Sequence, residues 1–195
     1  MANTNAPFGL RPVTYRGAAP SSGGMNWRKM QNTAGACNRG DIVKTLADGT
    51  VAVAAATDVA VMVGVVEGFR FLSSVMGYPI WTNYWPGSGA LGLVDVCIID
   101  DPNQVYEIMA SAGPITLADI GSAANVVVNA STTGFSKWAL GAPAAGAGSD
   151  VLAFKVVGLG NDGINISDGY DATAANNIVQ VAWNANYWKP GVLAV

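Results

Sequence analysis

The sequence predicts an all-β protein with a small β-barrel or β-sandwich body, organised as two β modules that follow an extended N-terminal arm. Short apolar runs recur along the chain, and clusters of Gly, Asn and Asp separate them at the spacing of short strands joined by turns. No segment has the apolar periodicity of an amphipathic helix of ordinary length. Together these observations favour strands over helices throughout the chain.

Residues 1–33 are predicted to form the arm, because they contain prolines and small polar residues but no periodic pattern. Pro7, Pro12 and Pro20 favour an extended course that loses little conformational entropy on docking. The apolar and basic side chains between them would then anchor the arm in grooves on a neighbouring subunit. The candidate contact residues of the arm are Pro7, Phe8, Leu10, Arg11, Pro12, Tyr15 and Arg16.

The first β module is predicted to span residues 34–114. Asp48-Gly49 lies between apolar runs and predicts a hairpin whose strands start at Ile42 and Thr50. The next strand contains Gly64, which predicts a bulge or a close backbone approach. Two further strands are expected in the segments ALGLVDVCIID and QVYEIMA.

Arg39-Gly40-Asp41 spells a cell-adhesion tripeptide, but it leads directly into a predicted strand. Glycine readily adopts the positive φ of a tight turn, and an aspartate side chain can accept hydrogen bonds from the backbone of that turn. We therefore interpret this tripeptide as a structural turn.

The second β module is predicted to span residues 115–195 and to pack on the first. A short helical turn is expected at Leu117–Gly121. Gly158–Gly163 matches the GxGxxG pattern of dinucleotide-binding loops, but no helix N-terminus follows it to bind a pyrophosphate. The oxygen-bearing side chains between Asn161 and Asp171 suit a solvated loop better than a calcium site, because they lack EF-hand spacing and a closing Glu. Strands are predicted in ANVVVNAS, VLAFKVVGLG and IVQVAWNANYW.

Trp81, Tyr84 and Trp85 crowd into one predicted loop beside Pro79 and Pro86. Aromatic side chains are enriched at the centres of protein interfaces, so contact with a partner protein is the first interpretation. Stacking on the sugar rings of a glycan is the second. The third is that the three rings pack beneath the loop as a small satellite core.

Charged residues are scarce, at 12% of the chain, and the net charge is only −3. Soluble domains usually contain about 25% charged residues, and Lys, Glu and Asp are depleted where a surface is buried against a partner. This shortage favours self-assembly or a permanent complex over a free monomer. The Lys and Arg residues are too scattered to predict a nucleic-acid groove. Neither a membrane span nor a secretion signal is expected from the apolar runs.

Catalysis has little support in the sequence. The chain contains no histidine, which removes the commonest general base and every nucleophile–histidine pair. Asp100 and Asp101 are adjacent, so on a strand their side chains would point to opposite faces. Cys37 and Cys97 cannot close a zinc site alone; buried free thiols are the default, and a disulfide between them stays an alternative. We expect no enzymatic activity, cofactor or metal.

Five segments that together span most of the chain are MANTNAPFGLRPV, GDIVKTLADGTVAVA, DDPNQVYEIMA, ADIGSAANVVVNASTTGFSKWAL and VQVAWNANYW. In style and order they resemble the head decoration, or cement, proteins of tailed bacteriophages. The resemblance implies a β-rich body on the outer capsid surface, without cofactor or catalysis. It also implies a dimer or trimer that is made in the host cytoplasm and bridges neighbouring major capsid subunits of the virion.

The alternative function is that of a virion-surface, fibre-associated or tail-associated β domain that binds host glycans. In that case Trp81, Tyr84 and Trp85 are the residues expected to stack on sugar rings. Neither function involves nucleic acid or a membrane as a partner.

Overall fold

The computed structural model describes residues 3–15, 24–111, 113–131, 134–144, 152–160 and 174–188. Within these ranges the chain has two three-residue 3-10 turns, Val59–Val61 and Leu117–Asp119, and no α-helix. The predicted all-β fold is therefore confirmed. The strands are β1 (Arg11–Tyr15), β2 (Met25–Met30), β3 (Cys37–Asn38), β4 (Ile42–Thr45), β5 (Val51–Val53), β6 (Met62–Leu72), β7 (Pro79–Thr82), β8 (Tyr84–Trp85), β9 (Val94–Ile99), β10 (Gln104–Met109), β11 (Ala123–Ala124), β12 (Val126–Val127), β13 (Ala139–Leu140), β14 (Phe154–Leu159) and β15 (Ile178–Trp183).

Five strands close into a barrel in the order β4–β5–β2–β9–β6, and β6 returns to pair with β4. The pairs are antiparallel except where β2 meets β5 in parallel, at Met30 and Val51. Strand β7 pairs with the far end of β6 and lies at the edge of the sheet. Strands β2 and β5 meet through the single residue pair Met30–Val51, and β7 is left as an edge strand.

A second antiparallel sheet has the order β1–β10–β15–β14–β11. Its outer strand β1 comes from the start of the chain, and there Arg11 pairs with Glu107. The register shifts after Pro12, as expected for a residue that cannot donate a hydrogen bond to the ladder and is tolerated at edges and bulges. Two short ladders, β3–β8 and β12–β13, add to these sheets.

Strand β6 belongs to two hydrophobic cores. Val63, Val66 and Phe69 lie in the core enclosed by the barrel, whereas Met62 and Val65 lie in the core between the barrel and the second sheet. The strand is therefore buried on both faces along this stretch, which explains why its sequence is continuously apolar instead of alternating. The large aromatic residues of the inter-sheet core are Tyr106, Trp138, Phe154 and Trp183.

The structure corrects the prediction of a free arm at residues 1–33. Strand β1 is part of the second sheet, β2 is a barrel strand, and Leu10 is buried in the inter-sheet core. A proline-containing edge strand and a strand with mostly exposed side chains produce no apolar alternation, so the pattern did not indicate them. The division between the sheets also falls before the predicted boundary at residue 114, because β10 already belongs to the second sheet.

Several local predictions are confirmed. Strands β4 and β5 form the hairpin predicted at Asp48-Gly49, and Gly49 has a φ of 79°. The close approach predicted at Gly64 is present, since a Cβ built there would lie 2.7 Å from the Ile99 carbonyl oxygen. The segment predicted as a loop around Trp81 instead forms β7 and β8, which are too short for a sequence pattern to indicate.

Replacing Gly64 with alanine should lower the free energy of unfolding by about 1–3 kcal/mol, the usual cost of overpacking a core. The new Cβ would meet the backbone of β9, which must then move. Equilibrium urea unfolding measures the change. The control is Gly68→Ala in the same strand, whose Cβ would meet Thr82 at an ordinary 3.5 Å and should cost much less. Equal losses for the two variants would contradict the close approach.

Candidate contact surface

The Arg39-Gly40-Asp41 turn connects three segments of the chain through backbone hydrogen bonds. The Gly40 N–H donates to the Val66 carbonyl oxygen at 2.9 Å, and the Gly40 carbonyl accepts from the Leu10 N–H at 3.0 Å. The Arg39 N–H donates to the Asn83 carbonyl oxygen at 2.8 Å. The turn thereby joins barrel strand β6 to the N-terminal segment and to the connection between β7 and β8.

Glycine is required at the centre of this turn. Gly40 has a φ of 89°, in the left-handed region, and the carbonyl oxygens of Phe8 and Leu10 would each lie 3.2 Å from a Cβ at this position. A side chain here would be strained by both the backbone conformation and its neighbours. The interpretation of the tripeptide as a structural turn is thus confirmed.

Asp41 fixes the turn from the buried side. Its Oδ2 accepts hydrogen bonds from the Asn38 N–H at 2.8 Å and from the Asn38 side-chain amide at 3.2 Å. Burial raises the pKa of Asp41, and hydrogen bonds from Ser136 and Asn38 only partly offset this effect. Ser136 precedes Trp138, whose carbonyl oxygen accepts from the Gly9 N–H at 3.1 Å. The carboxyl group therefore lies where the turn, the N-terminal segment and the 136–138 segment meet.

An open groove of about 490 Å³ lies beside the turn, and we call it the arm groove. Pro7, Phe8, Arg11 and Pro12 line it from the N-terminal segment, together with residues of other segments. The Arg11 guanidinium carbon is 4.5 Å from the Phe8 ring centroid, which is a cation–π distance. The lining residues from elsewhere in the chain include Arg39, Asn83, Gly134 and Phe135.

A second open groove, of about 370 Å³, lies on the outside of the barrel, and we call it the tryptophan groove. Its walls include Trp27 of β2 and Trp81 of β7, whose rings meet edge to face with their centroids 5.4 Å apart. The guanidinium of Arg70 lies 5.4 Å from each of the two ring centroids. Two indoles and one cation are thus held together on β2, β6 and β7, with β9 between β2 and β6.

Asp95 holds the cation of this cluster in place. It accepts from Arg70 Nη2 at 2.8 Å and from Arg70 Nε at 3.2 Å, and it also pairs with Lys29. Burial alone would raise the pKa of Asp95, but the hydrogen bonds from Lys29 and Arg70 hold that pKa below its ordinary value. The carboxylate therefore stays ionised at neutral pH and orders Arg70 against the two indole rings.

The two grooves adjoin, because Asn83 lines both of them. Tyr84 borders the same surface, since its ring lies against the Cα of Gly134. We call the joined surface the contact face. Contiguous exposed apolar surface of this kind marks interaction sites in folded proteins. Its exposed aromatic residues are Trp27 (46% exposed), Trp81 (65%), Tyr84 (47%) and Phe135 (72%).

The predicted contact residues divide into three groups. Leu10 and Trp85 are buried in the protein's own cores, and Trp85 packs edge to face on Phe71 with a centroid distance of 4.8 Å. They are therefore unavailable to a partner, which corrects the prediction for these two residues. The Tyr15 side chain and Arg16 lie outside the described residues. The predicted residues on the contact face are Pro7, Phe8, Arg11, Pro12, Trp81 and Tyr84.

Sequence reasoning missed Trp27, Arg70 and Phe135 as members of this surface. Trp27 stands in the polar run MNWRKM, and a lone tryptophan among polar residues is the signal that was available for it. Arg70 and Phe135 give no comparable signal, because only the pairing of β6 with β7 and the position of the 134–138 segment bring them to this face.

The chemistry of the described residues suits packing and hydrogen bonding. No group of three or more His, Cys, Asp or Glu residues that could hold a metal occurs among them. Cys37 and Cys97 are free thiols. Burial raises the pKa of both thiols, with smaller contributions from Asp41 and Glu67 respectively, so neither is a ready thiolate nucleophile. Residues 161–173 lie outside the described residues. They include the oxygen-bearing side chains considered for calcium and the end of the GxGxxG match.

The described part of the chain contains no helix of the length and apolarity that crossing a membrane requires. Comparison with protein-family models, with curated protein sequences and with solved structures finds no match to this chain.

The pH dependence of stability should change when Asp41 is replaced by asparagine. Because the folded state raises the pKa of Asp41, it binds the proton more tightly than the unfolded chain does. The free energy of unfolding therefore falls as pH rises from the ordinary value of about 3.8 through the folded pKa. Asp41→Asn should remove this fall, as measured by urea unfolding at a series of pH values.

The control for this experiment is Asp48→Asn. Hydrogen bonds from Thr50 and Gln31 lower the pKa of Asp48, so this carboxylate has the opposite linkage. Its removal should leave the fall caused by Asp41 in place. If the free energy of unfolding of Asp41→Asn still falls with pH as it does in the wild type, the assignment of a raised pKa to Asp41 is wrong.

Proposed function

We propose that this protein is a virion structural protein that decorates a bacteriophage capsid and cements it by bridging neighbouring major capsid subunits. The observation that carries the proposal is the contact face, on which two separately predicted contact segments adjoin at Asn83. The resemblance of the sequence to head decoration proteins supplies the kind of partner. The scarcity of charged residues agrees with a protein that covers much of its surface in an assembly.

The exposed aromatic side chains supply the driving force for such a contact. Burying apolar surface contributes about 25 cal/mol per Å², and Trp81 and Phe135 are both more than half exposed in the isolated chain. Tryptophan, tyrosine and arginine are also the residues that dominate binding energy at protein interfaces. Arg11 on the same face is suited to acidic groups at the rim of a capsid subunit, whereas Arg39 already pairs with Glu67.

Binding is favoured further because the contact face is ordered before docking. Hydrogen bonds hold the backbone at Gly9 and Leu10, and Asp95 holds Arg70 between the two tryptophans. Little additional conformational entropy is then lost on association. A protein that binds two adjacent subunits recognises only the assembled shell, and its binding free energy adds to the free energy needed to rupture that shell.

Trp81→Ala should weaken binding to undecorated capsids by at least about tenfold, as expected for an interface hot spot. The side chain is 65% exposed, so its loss should leave the fold intact. The measurement is co-sedimentation of purified protein with phage heads, that is, capsids, that lack it. The rupture temperature of the decorated heads is then determined. The control is Leu117→Ala, which removes a 73% exposed side chain from the Leu117–Asp119 turn; Leu117 lines neither groove.

Two outcomes would count against the proposal at different levels. If wild-type protein neither binds the heads nor raises their rupture temperature, the decoration function is refuted. If it binds and Trp81→Ala binds equally well, decoration stands but the contact face is not the surface that meets the shell.

A glycan-binding domain is a second candidate, favoured by the tryptophan groove. Trp81 presents an exposed indole on which a sugar ring can stack, and the exposed amide of Asn83 lies beside it for hydroxyl groups. Trp85, one of the three residues first expected to bind sugar, is excluded from this role because it is buried. The site would therefore depend on Trp27 and Trp81.

If the protein binds glycans, the wild type should give reproducible binding signals on a glycan array. Trp81→Ala should reduce those signals by about tenfold or more, because it removes the ring on which the sugar stacks. Leu117→Ala should retain them. An array without hits for the wild-type protein removes the glycan function and leaves the capsid proposal untouched.

A further inference from the structure

One end of the barrel sheet has a surface of a different kind, built from residues 72–78 and 89–93, which line neither groove. Both belong to the segment 71–94. This segment contains no charged residue, although it runs through two strands and three turns. The charges on either side of it, Arg70 and Asp95, pair with each other. An uncharged stretch of this length is unexpected in a solvated surface, where charged residues are common.

Two turns from this segment come together at one end of the sheet. The β6–β7 hairpin turn meets the 89–93 loop through hydrogen bonds from the Leu91 N–H to the Leu72 carbonyl oxygen, at 2.8 Å, and from the Ser74 N–H to the Gly89 carbonyl oxygen, at 2.9 Å. Ser73 and Ala90 form an isolated bridge between them. The two turns are therefore one structural unit.

Large apolar side chains cover this unit, and we call it the apolar tip. Val75, at the hairpin turn, is 89% exposed, more than any other large apolar residue described. None of these side chains belongs to either hydrophobic core. The exposed members of the tip are Leu72 (38%), Val75 (89%), Met76 (57%), Tyr78 (56%), Leu91 (55%) and Leu93 (45%).

The tip is held in one shape by its own hydrogen bonds. The Ser73 hydroxyl accepts from the N–H groups of Val75 at 3.3 Å and Met76 at 3.1 Å, and the Ser73 N–H donates to the Tyr78 carbonyl oxygen at 3.1 Å. Gly77 supplies a φ of 72° to close the turn. The apolar side chains are thus presented on an ordered backbone.

We propose that the apolar tip is a self-association surface, which packs against the same tip of a second copy of this chain. In a symmetric contact each residue near the rotation axis faces its own copy, so any charged residue there meets a like charge. A surface without charges over residues 71–94 satisfies this condition, and apolar side chains are complementary to themselves.

Other occupants fit the tip less well. A lipid surface is usually bound through apolar residues together with basic ones, and the tip contains no Lys or Arg. Extension of the sheet by a strand at β7 is disfavoured, because β7 has four residues and begins with Pro79, which has no N–H to donate. Packing of side chains between two copies of the chain is therefore the contact that fits the tip.

The association should be reversible, because six exposed apolar side chains form a much smaller contact than the roughly 20–30 residues per side of a standard interface. None of the six tip residues lines either groove of the contact face, and the contact needs no capsid. Its test on the isolated protein is therefore independent of whether the protein decorates a shell.

Sedimentation velocity of the full chain, from about 1 to 200 µM, brackets a micromolar dissociation constant. We expect the wild-type protein to show concentration-dependent association. Val75→Glu should raise the apparent dissociation constant at least about tenfold, because like charges would meet in the contact. The matched control Leu117→Glu places the same charge on a residue that is 73% exposed outside the tip, and it should associate like the wild type.

A cysteine at Val75 tests the geometry of the contact directly. Cys37 is fully buried, but Cys97 is 7% exposed and lines the tryptophan groove, so the cysteine variants are compared in a Cys97→Ser background. Val75→Cys should form a disulfide-linked dimer at concentrations where Leu117→Cys, the control for random collision, does not. A wild-type protein that stays monomeric up to 200 µM, or that floats with phosphatidylcholine vesicles as a monomer, overturns the proposal. So does association that Val75→Glu leaves unchanged.

Discussion

The backbone of the Arg39-Gly40-Asp41 turn is the constraint on which the contact face depends. The Gly40 N–H donates to the barrel and the Gly40 carbonyl accepts from the N-terminal segment, while the neighbouring Arg39 N–H donates to the β7–β8 connection. The turn can do this only with a left-handed glycine and with a buried carboxylate that accepts from Asn38. Without these conditions the arm groove and the tryptophan groove would have no fixed relation to each other.

The two halves of the contact face are stabilised by different physical means. The arm groove is held by backbone hydrogen bonds and by burial of Leu10, and its edge is a segment without regular structure. The tryptophan groove is held by the pairings of β2 with β9, of β9 with β6 and of β6 with β7, in which Arg70 lies opposite Trp81, and by the ion pairs of Asp95. The first half depends on a single turn, whereas the second is part of the barrel wall.

Much of the fold could be predicted from local signals, because those signals are caused by local physics. Asp48-Gly49 predicted its hairpin and Gly64 predicted its close approach, since each reflects what a glycine backbone permits. Barrel closure and the position of β1 in the second sheet depend on pairings between distant segments, which no local pattern contains. The same limit explains the tryptophans. Trp85 is buried and Trp81 is exposed, although only three residues lie between them, because the strand pairings decide which way each ring faces.

The order of strands in the second sheet has a consequence for how the molecule is made. Strand β1, near the start of the chain, pairs with β10, and β10 pairs with β15 on its other side. The Asn3 side-chain amide also donates a hydrogen bond to the Ala175 carbonyl oxygen at 3.2 Å. Contacts so distant in sequence form slowly, because the chain between them must be closed into a loop first. During synthesis the barrel strands emerge long before β15, so the N-terminal segment must wait for the rest of its sheet. The second sheet, with the N-terminal segment at its edge, is therefore completed after the barrel that supports it.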